Sequence, residues 1–264
     1  MIRVRGLTVT FNRGTPMETP ALRGLDLDVP SGEFVTVIGS NGAGKSTLLN
    51  AIAGDVALDA GTVELDGTDV THWPTARRAA LVARVFQDPL SGTCESLTVE
   101  ENLALAAARG RTRGVRPALT RALRQELAER VRDLGLGLET RLGDRMGLLS
   151  GGQRQAVSLL MATLRPSRVL LLDEHTAALD PKTAAYVLAL TTRLVTEHRL
   201  TTLMVTHSMR QALDHGTRTI MLHEGRVVLD VSGEERAALD VPDLLRLFER
   251  RHGQTVSDDT LLLG

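Results

Sequence analysis

"FVTVIGSNGAGKSTLLNAIAG", residues 34–54, decides how this chain folds. Its first five residues are apolar or β-branched, which suits a strand buried on both faces. Glycines at 39, 42 and 44 then let the backbone turn where a side chain would obstruct it. "KSTLLNAIA" reads as a helix, and Gly54 marks its end. The turn fits G-x-x-x-x-G-K-[ST], with Ser46 in the last place and the required strand before and helix after. Such a turn points backbone N–H groups inward, and the helix N-terminus adds partial positive charge. Gly39, Ser40, Asn41, Gly42, Ala43, Gly44, Lys45, Ser46 and Thr47 therefore read as a phosphate cradle. Lys45 is placed to reach the β and γ phosphates and the Ser46 hydroxyl to ligate Mg²⁺.

On the N-terminal side, "IRVRGLTVTF" and "LRGLDLDVPSGE" read as strands broken by Gly and Pro. On the other side, "GTVELDGTDVT" holds Asp66-Gly67 between alternating residues, a hairpin signal. From about residue 90 to 165, Ala, Leu, Arg and Glu dominate at helical spacing, an inserted helical segment. Its last helix starts at "SGGQRQAVSLLMATLR", with Ser150 as N-cap, and stops before Pro166.

Strands and helices then alternate. "RVLLLDE" is a buried strand. "DPKTAAYVLALTTRLVTEH" is a helix with Asp180 as N-cap and Pro181 in its first position. "LTTLMVTH" is a strand followed by a short helix ending near Gly216. "TIMLHEGRVVLDV" predicts a hairpin around Glu224-Gly225, and "SGEERAAL" a capping box of Ser232 with Glu235. "DVPDLLRLFERR" is a short amphipathic helix, and the residues after it read as frayed. The alternation implies an α/β fold with a mainly parallel sheet.

An apolar strand ending in Asp173 and Glu174 supplies the second half of a phosphate site. Asp173 would hold Mg²⁺ through water. Glu174, one residue on in an extended chain, points to the other side and would act on the attacking water as general base.

Composition narrows the partners. The chain has 264 residues, enough for one large domain or a domain with an insertion. A net charge of −1 gives no electrostatic reason to expect nucleic acid. Cys94 is the single cysteine, which excludes an internal disulfide. "MIRVRGLTVTF" lacks the apolar core of a signal peptide, and no stretch nears the roughly 18 apolar residues that span a bilayer. The expectation is a soluble chain that reaches a membrane only through a partner.

"LLSGGQRQ", 148–155, joins the cradle and "LLLDE" in an order and spacing that resemble an ATP-binding-cassette (ABC) ATPase subunit over nearly the whole chain. Gln87 in "VFQDP" resembles the family's glutamine loop, "SGGQ" its signature, "ALD" at 178–180 its D-loop, and His207 in "VTH" its switch histidine. The resemblance implies a P-loop NTPase core with an N-terminal antiparallel β subdomain, spanning 1–89 with 166–230. It also implies a helical signature subdomain over 90–165 and a short helical extension over 231–264.

It implies ATP and Mg²⁺ as ligands, with two ATPs sandwiched head-to-tail between two such subunits. Ser150, Gly151, Gly152 and Gln153 would then meet the γ-phosphate bound by the other copy, and Asp180 that copy's cradle. Gln87 would sense Mg²⁺ and the water, and His207 would hold the γ-phosphate. Phe11 is the ring placed for adenine to stack on, where many relatives carry Tyr. His175 stands where the family more often has Pro. It is not expected to act as a base, since Glu174 and His207 already fill those roles.

Two functions fit this resemblance. The first is the energy-coupling subunit of a transporter, an importer. It would sit on the inner face of the cell membrane and dock a separate permease near Gln87 and residues 90–102, with an extracytoplasmic substrate-binding protein as a further partner. "VFQDPLSGT", "DEHTAALDPKTA" and "MLHEGRVVLDVSGEE" resemble uptake ATPases whose binding protein is of a tryptophan/tyrosine type. The second is a soluble cassette ATPase working on a soluble scaffold, as in cluster assembly. Eight arginines between Arg109 and Arg132 are interspersed with acids and read as a solvated helix pair, Trp73 as a packing ring, and Cys94 as an ordinary small residue.

Overall fold

The computed structural model describes residues 1–110 and 119–252. The chain divides into two compact units, Met1–Arg78 with Arg199–Gly264, and Ala79–His198. The arginine-rich stretch read above lies partly outside the described residues, as do the residues expected to fray.

The first unit opens with β1 (Ile2–Phe11) antiparallel to β2 (Thr19–Val29). Ile2, Val4, Leu7 and Val9 are buried, and the break in alternation between Val4 and Leu7 coincides with a register shift at Gly6, whose φ is 57°. β3 (Phe34–Ile38) is buried along its whole length and leads through the glycine turn into α1 (Lys45–Ala53). Gly54 closes that helix in the left-handed region. β4 (Ala60–Leu65) and β5 (Thr68–Asp69) form the expected hairpin, with Asp66 and Gly67 both at positive φ, and complete a four-stranded antiparallel sheet ordered β2-β1-β4-β5. α2 (Thr75–Arg78) delivers the buried Arg78, whose Nη1 donates to the carbonyls of Ala51 (2.8 Å) and Ile52 (3.0 Å) at the end of α1. Trp73 packs under the Arg77 guanidinium, 3.6 Å from the ring centroid.

The second unit pairs β6 (Val82–Val85) parallel to β7 (Val169–Asp173), from Val82 opposite Val169 to Val85 opposite Leu172. Between them run α3 (Val99–Ala107), α4 (Arg121–Arg132) and α5 (Gly151–Thr163); α6 (Pro181–His198) follows β7. α3 starts on a capping box of Thr98 with Glu101, and Thr120 caps α4. The Asn102 side chain holds the approach to α3, accepting from the Cys94 N–H (2.8 Å) and donating to the carbonyls of Cys94 and Thr98. The Cys94 side chain is exposed.

The chain returns to the first unit with β8 (Thr201–Val205), α7 (Met209–Asp214), β9 (Arg218–His223), β10 (Arg226–Ser232), α8 (Gly233–Ala237) and α9 (Val241–His252). β3 lies parallel between β8 and β9, and β9 and β10 form the expected hairpin across Glu224-Gly225. The expected capping box at Ser232 is absent. Ser232 still ends β10 with extended backbone, φ −148°, and its side chain makes no capping bond. Arg236 from α8 instead donates to the carbonyls of Ala212, Leu213 and His215 at the end of α7. Among the described residues no helix is long and apolar enough to cross a membrane.

Candidate active site

Two glycines of the cradle are obligatory for packing as well as for conformation. A Cβ on Gly39 would lie 2.2 Å from the Leu222 carbonyl oxygen, and one on Gly44 would lie 2.5 Å from that of Ala21. Both residues have φ in the region that side chains rarely adopt, 148° and 99°. Lys45 is only 6% exposed, and its Nζ donates to the carbonyls of Gly39 (2.7 Å) and Ser40 (3.1 Å). The ammonium is thus held inside the loop it serves. Ala43 is buried, while Asn41, Gly42 and Ser46 are exposed; Ser40 and Thr47 are half-buried. The arrangement is a concave backbone at a helix N-terminus with one cation inside it, which suits a phosphate chain.

His207 emerges at the same C-terminal end of the paired strands. β3 and β8 run parallel with Val37 opposite Val205, and the Thr206 N–H donates to the Val37 carbonyl at 3.1 Å. His207 is half-buried and flanked by a fixed turn. Thr206 Oγ1 meets Gln211 Oε1 at 2.9 Å, and Ser208 Oγ caps α7 by accepting the Gln211 N–H. Phe11 ends β1 opposite Thr19 and is 39% exposed, so it is not an interior packing ring.

In the second unit, β6 and β7 deliver Gln87, Asp173 and Glu174 to one end of the paired strands. Gln87 is exposed, just beyond Val85, and Asp88 folds the next turn by accepting the Leu90 N–H at 2.9 Å. Asp173 is the last residue of β7. Its Oδ2 accepts from Arg84 Nη2 at 2.9 Å, a pairing the sequence reading missed. An arginine inside the otherwise apolar "VARV" was the available signal. Strand alternation, expected from the sequence to set the Glu174 side chain opposite Asp173, does not extend to Glu174, because β7 ends at Asp173. Glu174 sits at φ 45°, a conformation that costs a non-glycine residue about 1–2 kcal/mol. His175 is buried, with Nε2 3.0 Å from Thr191 Oγ1, and does not compete with Glu174 for solvent.

The signature forms the N-terminus of α5. Ser150 caps it, its Oγ accepting the Gln153 N–H while the Gln153 side chain accepts the Ser150 N–H. Gly152 has a packing reason beyond exposing its N–H: a Cβ there would lie 2.0 Å from Thr183 Cγ2 on α6. Gly151 faces Leu179. Gly151 and Gly152 thereby pack against Leu179 and Thr183, which flank Asp180, whose Oδ1 caps α6 through the Thr183 N–H at 3.1 Å. Hydrogen bonding from the Thr183 side chain, and next from its backbone N–H, holds the Asp180 carboxyl below the usual range. The buried Gln155 was also missed: its Nε2 donates to the Phe86 carbonyl at 3.3 Å and ties α5 to the segment that carries Gln87.

Each unit, taken by itself, carries oxygen donors of the kind Mg²⁺ accepts. Among the described residues no group of three or more His, Cys, Asp or Glu side chains could hold a metal alone. The first unit presents the exposed Ser46 hydroxyl and the second, described by itself, the Asp173 carboxylate. Mg²⁺ favours such hard oxygens, a few at a time, with waters and phosphate oxygens filling the remaining positions.

Residues 22–177 match the model of a family described as ABC transporter. The chain is 45% identical over 249 residues to a tyrosine transport ATP-binding protein of Clostridioides difficile (strain R20291), covering 94% of this chain and 99% of that protein. It is 35% identical to a thiamine import ATP-binding protein of Shigella flexneri serotype 5b (strain 8401), over 79% of this chain and 85% of that protein. A solved dimeric ATP-binding cassette in a post-hydrolysis state, bound to ADP and Pi, matches 88% of this chain and 98% of its own, at 29% identity and a TM-score of 0.76. These likenesses favour a transporter subunit over a soluble scaffold ATPase.

Proposed function

The chain belongs to the ABC transporter family as an ATP-binding, ATP-hydrolysing subunit, and on that premise we propose that it powers import through a separate membrane permease. It works at the inner face of the membrane as half of a pair of like subunits, with an extracytoplasmic binding protein delivering the cargo. The 45% identity to a tyrosine transport ATP-binding protein supports an aromatic amino acid as that cargo.

The observation that carries the reading is the Gly39–Thr47 turn, with Lys45 already drawn inside it. Backbone N–H groups and Lys45 bind the phosphates, and Phe11 offers its exposed face to adenine. Ser46, Asp173 and Gln87 would hold Mg²⁺, which supplies charge neutralisation at the β and γ phosphates. Glu174 takes the proton of the attacking water, and His207 holds the γ-phosphate. Ser150, Gly151, Gly152 and Gln153 offer a helix N-terminus to the γ-phosphate bound by the second subunit, and Asp180 meets that subunit's cradle.

The permease docks on the second unit. An open pocket there is lined by Phe86, Pro89, Gly92, Leu105, Ala106 and Met161, and Leu105 is 55% exposed. The test is purification of the tagged chain from detergent-solubilised membranes of its own host, then transport of labelled tyrosine by the reconstituted complex. Recovery of a multi-span apolar partner is expected. Recovery instead of a soluble scaffold, in detergent-free buffer, would overturn the reading.

A further inference from the structure

His175 lies in the loop between β7 and α6 and is 2% exposed. Its partner Thr191, 1% exposed, sits near the middle of α6. The direction of their bond follows from counting protons. Thr191 Oγ1 has one, and it is donated to the Val187 carbonyl at 2.8 Å. Toward the ring, 3.0 Å away, the hydroxyl can therefore only accept, so His175 Nε2 carries a hydrogen and donates it. A buried polar pair satisfied in this way has a single geometry, unlike an apolar contact, which tolerates sliding.

What this bond holds is the residue before it. Glu174 sits at φ 45°, and a non-glycine residue keeps such a conformation only where its surroundings over-determine it. On one side the constraint is the pairing of β7 with β6. On the other, the Glu174 carbonyl accepts the Ala177 N–H at 3.0 Å, Thr176 accepts that of Leu179 at 3.2 Å, and Asp180 caps α6. Those bonds close the loop on itself and at its far end. The His175 side chain fastens its near end to the body of α6.

We propose that His175 is a positioning residue for hydrolysis. Through Thr191 it anchors the 174–180 loop on α6 and so holds the Glu174 carboxylate in line with the attacking water, without itself touching substrate. This rests on the reading of Glu174 as the general base.

The test uses the full-length chain and measures kcat with Mg-ATP alongside equilibrium ATP affinity. Thr191→Val keeps the shape and removes the hydroxyl, Thr191→Ser keeps the hydroxyl, and His175→Leu removes the ring nitrogens. Thr191→Val and His175→Leu are expected to lower kcat by about threefold to tenfold, as loss of one net hydrogen bond implies. ATP affinity stays within about twofold, since the bond acts on the water and not on the phosphates. The double variant falls no further than His175→Leu alone, and Thr191→Ser retains activity. If His175→Leu does not fold, the two Thr191 variants carry the comparison. An unchanged kcat in Thr191→Val, equal losses in Thr191→Ser and Thr191→Val, or additive losses in the double variant would each overturn the inference. Glu174→Gln separates the two readings. Full activity there removes the base itself. An inactive Glu174→Gln beside an unaffected Thr191→Val removes only the role given to His175.

Discussion

Arg84 Nη2 stands 2.9 Å from Asp173 Oδ2, with the two side chains 12% and 13% exposed. In the register of the paired strands Arg84 lies opposite Leu171, so it reaches diagonally along β7 to the acid at its end. Its guanidinium also lies 4.6 Å from the centroid of the Phe86 ring. The acid proposed to hold the metal is therefore oriented by a cation from the strand that leads to Gln87. Removing one partner of a largely buried pair costs on the order of 3 kcal/mol. Arg84→Met should lower the urea midpoint accordingly, and Arg84→Lys, which keeps the charge, should lower it less. A wild-type midpoint in Arg84→Met would show that the pair contributes nothing to stability.

Lys45→Ala should weaken nucleotide binding. The ammonium is already held at the Gly39 and Ser40 carbonyls, so little ordering of its side chain is needed when a phosphate arrives. A charge-assisted hydrogen bond of about 1.5–3 kcal/mol corresponds to a loss of affinity of roughly tenfold to a hundredfold. Titration with a fluorescent ATP analogue reads this directly. Wild-type affinity would remove Lys45 from the cradle.

The features legible in the sequence share one property: their chemistry is local. The glycine turn before α1, the Ser150 cap, the Asp180-Pro181 start of α6 and the two hairpins each depend on residues a few positions apart. The features that were missed join distant segments. Arg84 meets Asp173 across 89 positions and Gln155 meets Phe86 across 69. Neither pairing has a sequence period, and both become visible only when β6, β7 and α5 meet. Ser232 shows local chemistry losing to its context. Its S-x-x-E pattern is intact, but pairing with Arg218 in the β9–β10 hairpin keeps its backbone extended.

Glu174→Gln preserves shape and removes the base. Hydrolysis should fall by about 10²–10⁴, the usual contribution of a general base. Because binding is spared, ATP-bound dimers should accumulate and elute early in size-exclusion chromatography with Mg-ATP. A fully active variant would take the role away from Glu174.

Gly152→Ala separates packing from phosphate contact in the signature. The new Cβ would lie 2.0 Å from Thr183 Cγ2, so α5 and α6 must part or Thr183 must turn. Overpacking of this kind costs about 1–3 kcal/mol. Thr183→Ala in the same chain removes the clashing methyl and should restore most of the stability, read as the urea midpoint. If the double variant is as unstable as Gly152→Ala, the glycine is required for another reason.

Acid sensitivity should localise to His215, the residue that ends α7. Burial pushes its imidazole below its ordinary value; Arg236 adds to the shift and Asp214 opposes it. The folded state then binds the proton less readily than the unfolded chain, whose histidine titrates near about 6.5. Between the depressed folded value and about 6.5, the unfolded chain holds more protons, so stability falls as pH falls. Above that window this contribution is full and constant. His215→Gln removes the titration while keeping the main-chain carbonyl that accepts from Arg236. Urea midpoints at pH 7.5 and pH 5.5 should therefore draw closer together in His215→Gln than in the wild type. Since α7 begins two residues after His207, ATPase activity at the lower pH should be better preserved in the variant. Identical pH dependence in the two proteins would show that the acid-labile group lies elsewhere.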